Sequence, residues 1–222
     1  MMKIAIFGGT FNPVHIGHIA LADDVCRTLG YDKVLFVPTF IPPHKKMLHV
    51  ESAENRVAML KNTFKSDSRF VAETCEVDRG GVSYTIDTVH TLIEKYKGEL
   101  DGKFGLIMGQ ENAFEFNKWK GASELAEITD IIIAQRQKAV SVDTDGFENE
   151  NTGEYTGGFN SSEYLKIFSQ FPFNYIPLKN LILPVSSTEI RARIAKGAGW
   201  RYLVPQAVYD YIIENKLYGY NG

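Results

Sequence analysis

Apolar residues along this 222-residue chain follow two alternating periods. Short unbroken apolar runs at Lys3 to Phe7, Lys33 to Val37, Lys103 to Met108 and Asp130 to Ala134 are too brief for helices and predict buried strands. Between them the apolar positions recur at helical spacing. Ile19, Ala22, Val25, Cys26 and Leu29 predict a helix stopped by Gly30. Val57, Leu60 and Phe64 predict a second helix with Ser52 as its N-cap, and Ile86, Val89, Ile93 and Tyr96 a third, after Ser83. A strand near Arg69 to Glu73, a helical region from Glu111 to Ile128, a helix around Tyr164 to Phe171 and a strand from Asn180 to Leu183 extend the series. The chain closes on helices from Ser187 to Lys196 and from Pro205, placed as a first helical residue with Val208, Tyr211 and Ile212 facing inward. Strands alternating with helices predict an α/β fold, a doubly wound parallel sheet with helices on both faces and a helical carboxyl-terminal end.

One stretch breaks this alternation. Val140 to Glu163 is rich in Asn, Gly, Ser and Thr, carries six acids (Asp143, Asp145, Glu148, Glu150, Glu154, Glu163), and has no Lys or Arg. It reads as a polar, acidic, mobile surface insertion, at about 138–163, in one domain spanning 1–222. A lid or partner contact is the rival reading, but solvated acidic loops are the common case.

Composition narrows the functional classes. A formal net charge of −3 argues against nucleic-acid binding by bulk electrostatics, so any polyanion must be met locally. No apolar run approaches the roughly 18 residues of a membrane span, and the first strand leads straight into polar sequence, which together predict no membrane association and a cytoplasmic protein. Cys26, on an apolar helix face, and Cys75, near a strand, read as core residues rather than a disulfide or metal set. The oligomeric state stays open, a homo-oligomer included.

The candidate chemistry sits where the first strand gives way to the first helix. Gly8, Gly9, Thr10, Phe11, Asn12, Pro13 and Val14 lead to His15 and His18, with Gly17 between them. In a parallel α/β sheet the ligand crevice lies at the carboxyl ends of the strands, where helix starts offer N–H groups to anions. Glycine lets backbone approach a ligand closely, and Thr10 adds a hydroxyl. The segment matches neither the dinucleotide fingerprint nor the P-loop, which disfavours a nicotinamide oxidoreductase and a P-loop ATPase. Histidines three apart without a nearby Cys or zinc-motif Glu supply too few ligands for a convincing metal site. Bound triphosphate would favour imidazolium, placing donors on oxygens that gain charge in phosphoryl transfer. Satisfied or solvated histidines remain the plain alternative.

The segment from Gly8 to His18 resembles the opening signature of the HxGH nucleotidyltransferases, which transfer a nucleoside monophosphate from a triphosphate to a phosphate-bearing acceptor. Val185 to Arg191 resembles that superfamily's second signature, a hydroxyl-rich turn opening a helix with arginine one turn in. Alone, Ser186, Ser187 and Thr188 would be no more than an N-cap. Within the superfamily the chain is similar to the nicotinate-nucleotide adenylyltransferases, through Pro42 to Lys45, Arg79 to Thr85 with Asp87 and Thr88, and Met108 to Asn112 leading to Trp119. The resemblance covers most of residues 2 to 136 and 180 to 217.

That resemblance implies transfer of AMP from ATP to nicotinate mononucleotide, giving nicotinate adenine dinucleotide and pyrophosphate, with Mg2+ neutralising the triphosphate. It implies that His15, His18, Lys45 and Arg191 carry catalysis. Gly8, Gly9, Thr10, Phe11, Gly109, Glu111, Ser186, Ser187 and Thr188 join His15, His18 and Arg191 in binding ATP. Thr39, Lys45, Tyr84, Thr85, Trp119 and Arg136 would hold the acceptor, with Thr85 and Trp119 at its nicotinate end. These roles have physical counterparts: Trp119 can stack on a pyridine ring, although core packing is as common a fate, and the N–H of Thr85 opens a helix toward a carboxylate. Lys45 could instead be a solvated loop charge. Asn12 where many relatives have Asp, Glu111 where Asp is expected, and the acidic insertion depart from the pattern and put substrate preference in doubt. Rival acceptors are nicotinamide mononucleotide and phosphopantetheine. A class I aminoacyl-tRNA synthetase, which shares His-Ile-Gly-His, lacks room here for a tRNA-binding domain. A non-catalytic nucleotide sensor is the rival from another class.

Overall fold

The computed structural model describes residues 1–43, 50–134 and 171–222. Six parallel strands form one sheet in the order β3-β2-β1-β4-β5-β6. These are β1 (Ile4–Gly9), β2 (Lys33–Pro38), β3 (Phe70–Ala72), β4 (Phe104–Gly109), β5 (Thr129–Ala134) and β6 (Ile176–Leu178). The order reverses between β1 and β4, which leaves a crevice beyond their carboxyl ends because successive crossovers depart to opposite faces.

Each central strand sends alternate side chains to opposite faces, and two cores result. Ala5, Phe36, Ile107 and Ile132 pack with α1 (Ile16–Leu29), α2 (Ala53–Thr63), α7 (Ser187–Ala195) and α8 (Gln206–Glu214). Ile6, Leu35, Leu106 and Ile131 pack with α4 (Thr85–Lys95), α5 (Gln110–Glu115) and α6 (Ala122–Ile128). The doubly wound sheet expected from the apolar runs is therefore observed. Gly30 ends α1 in the left-handed region at φ 71°, and the Ser52 hydroxyl accepts from the Asn55 N–H to cap α2.

Several boundaries differ from expectation. The last strand is Ile176–Leu178, paired with Ile132 to Ala134, whereas 180–183 is irregular, the Leu181 N–H donating to Asp24 at 2.8 Å. The apolar run at 181–183 gives the stronger strand pattern, while the true strand is short and contains Pro177, which an edge position tolerates. The region from Glu111 to Ile128 is two helices and a 3-10 turn (Phe116–Lys118), interrupted where Trp119 is extended and Gly121 takes φ 70°. Cys75, near β3 and packed with Leu35 and Val37 of β2 as expected, opens a short helix, α3 (Cys75–Arg79), and Pro205 caps α8 from outside it. Both cysteines are buried and unoxidised, and burial pushes their thiols up to about 11 at Cys26 and about 12 at Cys75. The expected helix over Tyr164 to Phe171 lies outside the described residues except for Phe171, which is irregular; the acidic insertion also lies outside them.

Candidate active site

Gly8 and Gly9 end β1, and their φ values are ordinary; the turn beyond them is made by Phe11, at φ 48°, and a cis Asn12–Pro13 bond. The lack of a side chain still matters. A Cβ on Gly9 would meet the Phe11 ring at 3.0 Å, whereas Gly8, on β1, and Gly109, at the end of neighbouring β4, have open space where a Cβ would stand. The crevice floor is thus bare backbone. Phe11 is 2 % exposed, and its ring stands edge-on to His18 at 5.1 Å. The side chain of Phe11, expected among the ATP-binding residues, thus packs on His18. Thr10 is partly exposed.

His15 is the N-cap of α1 and is buried, while His18 is partly exposed, and their rings stack at 3.6 Å with 28° between planes. The backbone N–H of His15 donates to Nδ1 of His18 at 3.2 Å. A nitrogen that accepts holds no proton, so His18 is neutral in this arrangement with its hydrogen on Nε2. The imidazolium expected from charge considerations would have to give up this bond. Gly17 is needed for the packing: a Cβ there would fall 2.9 Å from Val185 and 3.2 Å from the His15 ring.

The carboxyl-terminal signature reaches this same loop. The Ser187 hydroxyl donates to the Pro13 carbonyl at 2.9 Å, and Arg191 donates to the Asn12 carbonyl at 2.8 Å, across 174 and 179 residues of sequence. Ser186 caps α7 by accepting from the Glu189 N–H, and Thr188, exposed, accepts from Arg191 at 3.3 Å. This changes the part expected of Ser187, whose hydroxyl hydrogen is spent on protein. Arg191 uses one nitrogen on the loop and remains partly exposed.

Asn12 is buried and its side-chain oxygen accepts from the Glu51 N–H at 3.3 Å and from the Tyr218 hydroxyl at 2.9 Å. An amide therefore bridges backbone and hydroxyl there. Burial pushes the Tyr218 phenol well above its ordinary value, so it stays protonated and can donate. Sequence reasoning missed Arg56, which is 1 % exposed and donates to the Thr10 carbonyl at 2.8 Å and the Glu51 carbonyl at 3.2 Å. Neither Arg56 nor Arg191 makes an ion pair among the described residues, so two cations stand behind one loop with no carboxylate in direct contact. A detectable signal existed, since Arg56 falls on the same helix face as Ala53 and Leu60.

A second wall adjoins through β2. Thr39 donates its N–H to the Gly9 carbonyl at 2.9 Å, the Phe40 N–H donates to the Ser83 hydroxyl, and the Ser83 N–H donates to the Ile41 carbonyl. Tyr84 and Thr85, both partly exposed, then open α4. Trp119, partly exposed, packs on Phe116 at 5.3 Å, and the Nζ of its neighbour Lys120 lies 3.2 Å from both Asp87 oxygens and 4.6 Å above the Tyr84 ring. The Trp119 loop and the start of α4 are thus side by side. Glu111 is exposed in the first turn of α5, following Gly109. Lys45 and Arg136 lie outside the described residues. No group of three or more His, Cys, Asp or Glu able to hold a metal occurs among the described residues.

The Cytidylyltransferase-like family model matches residues 6–193, and the chain belongs to that family. The "Probable nicotinate-nucleotide adenylyltransferase" of Treponema pallidum (strain Nichols) is 40% identical over 217 residues, covering 98% of this chain and 99% of the relative. That of Borreliella burgdorferi is 35% identical, covering 98% and 97%. Among solved structures, the Plasmodium falciparum nicotinic acid mononucleotide adenylyltransferase complexed with NaAD superposes with a TM-score of 0.70 at 18% identity, covering 100% and 99%. The putative nicotinate-nucleotide adenylyltransferase from Vibrio parahaemolyticus gives 0.64 at 19%. These structural matches support the fold.

Proposed function

We propose that this protein transfers AMP from ATP to nicotinate mononucleotide, forming nicotinate adenine dinucleotide and pyrophosphate. The observation that carries the reading is the meeting of the two signatures, where Ser187 and Arg191 hydrogen-bond the loop that leads into His15 and His18 at the β1–β4 crevice. The likeness to full-length relatives of that name supports the choice of acceptor.

An oxygen of the acceptor's phosphate attacks the α-phosphorus of ATP; that bond forms as the bond to the bridging oxygen breaks, and the electron pair leaves with pyrophosphate. The attacking oxygen is already anionic, so no general base is required, and the protein's work is positioning and charge stabilisation. His18 offers its Nε2–H to a phosphate oxygen, with the ring aimed by the His15 N–H and by Phe11 beneath it. Arg191 gives a charged donor toward the triphosphate, while the open backbone at Gly8 and Gly109 admits the nucleotide. Thr85 and Trp119 bound the acceptor's ring, with Thr39 and Tyr84 beside them. Lys45 and Arg136 contribute cationic contacts to the acceptor. Mg2+ would arrive coordinated by the triphosphate, and it would offset phosphate charge. No helix among the described residues is long and apolar enough to cross a membrane, and we place the activity in the cytoplasm.

The test is pyrophosphate release from Mg-ATP with nicotinate mononucleotide, nicotinamide mononucleotide, 4′-phosphopantetheine or no acceptor. Release should be fastest with the acid and absent without acceptor. Release only with phosphopantetheine, or ATP binding with no release under any condition, would overturn the reading.

A further inference from the structure

The Trp119 loop is fixed to α4 by packing that does not involve its lysine. Gly121 sits at φ 70° so close to Ile86 that a Cβ would fall 3.1 Å from the isoleucine side chain. The Trp119 N–H donates to the Phe116 carbonyl and the Leu125 N–H to the Gly121 carbonyl. On this anchored loop Lys120 projects across to α4, its Nζ equidistant at 3.2 Å from the two Asp87 oxygens and over the Tyr84 ring. Asp87 lies two residues beyond Thr85 in the first turn of α4. A negative charge therefore stands next to the part of the wall assigned above to a pyridine carboxylate, and one cation balances it.

We propose that Lys120 is a specificity-determining residue: by neutralising Asp87 it lets the wall formed by Thr85 and Trp119 accept an acidic mononucleotide in preference to its amide. The inference rests on the function proposed above. Both side chains are partly solvated, at 55% and 40% exposure, so the pair adds little to stability, and its effect falls on a charged ligand nearby. An uncharged amide is indifferent to the sign of that charge.

The variants K120M, D87N and the double variant K120M/D87N set the local charge to −1, +1 and 0 relative to the balanced pair. The readout is the ratio of kcat/KM for nicotinate mononucleotide to that for nicotinamide mononucleotide. K120M should lower the ratio about fivefold, the scale of one unit charge several ångströms away in a partly solvated site. D87N should hold or raise it, and the double variant should return it close to the wild-type value. In about 0.5 M salt the K120M effect should shrink, since a Debye length there is only a few ångströms. A ratio unchanged in K120M, or a fall that D87N does not rescue, would overturn the proposal; the latter would make Lys120 a tether only. If the wild-type enzyme adenylates neither mononucleotide, the function proposed above fails instead, so the two failures are distinct.

Discussion

The two walls of the crevice are built differently. The phosphate wall is a loop, residues 8–15, whose carbonyls at Thr10, Asn12 and Pro13 are held by Arg56, Arg191 and Ser187, and whose Asn12 side chain is held by Glu51 and Tyr218. Its partners come from α2 and the residue before its cap, from α7 and from the chain end; Arg56 is buried and the other four are partly exposed. The acceptor wall is partly solvated, held by backbone bonds at Ser83 and Trp119, and its two halves are joined by the Gly121–Ile86 contact and one half-exposed ion pair. Reaction chemistry needs donors held to fractions of an ångström, whereas selection among acceptors needs only a few contacts of the right charge and shape. Damage to the first wall should therefore lower turnover for every acceptor. Damage to the second should change which acceptor is used.

The sharpest separation should come from His18→Ala, which removes the Nε2–H donor. Turnover should fall by about 10²–10³, as for loss of an oxyanion donor, with the thermal midpoint nearly unchanged. Near-normal turnover would remove His18 from the mechanism. Next, Arg191→Met should lower kcat by about 10-fold to 10²-fold and raise KM for ATP, because both a charged donor and the clasp on Asn12 are lost; an effect on the acceptor alone would contradict the division. Arg56→Met leaves two part-buried carbonyls without this donor and should destabilise the fold by about 2 kcal/mol in denaturant titration. Gly121→Ala adds a Cβ into Ile86 at a positive φ and should cost about 1–2 kcal/mol while raising KM for the mononucleotide and leaving KM for ATP nearly unchanged.

The thiols give the smallest test. Burial raises Cys26 to about 11 and Cys75 to about 12, above the unfolded value, so the folded protein keeps both protonated. The sign follows directly: the stabilisation is complete below the unfolded thiol pKa of about 8.5 and is lost as pH rises from there toward the folded values. Alkylation by iodoacetamide at neutral pH should be slow until denaturant is added; fast labelling of the native protein would contradict the burial.

The doubly wound parallel sheet was legible because its central strands are buried runs separated by amphipathic helices, and Gly30 and Ser52 mark helix ends by local chemistry alone. The edge strand was hidden because Pro177 depresses the strand signal while the apolar run at Leu181 to Leu183 raises a false one. The break at Trp119 to Gly121 depends on docking against Ile86, a contact no local period encodes. In the site, the histidine loop and the hydroxyl-rich turn could be read as partners through resemblance, but not the form of their partnership. That Ser187 and Arg191 bind loop carbonyls, and that Phe11 lies beneath His18, follows only once distant segments are folded together. The tautomer of His18 likewise depends on the N–H of His15 pointing at its ring.

The most direct measurement is kcat/KM for nicotinate and nicotinamide mononucleotides in His18→Ala and Gly121→Ala beside the wild type. The account predicts that His18→Ala lowers both by the same factor and leaves their ratio intact, while Gly121→Ala changes the ratio. A His18→Ala enzyme whose acid-to-amide ratio shifts as much as its rate would contradict the separation of chemistry from selection.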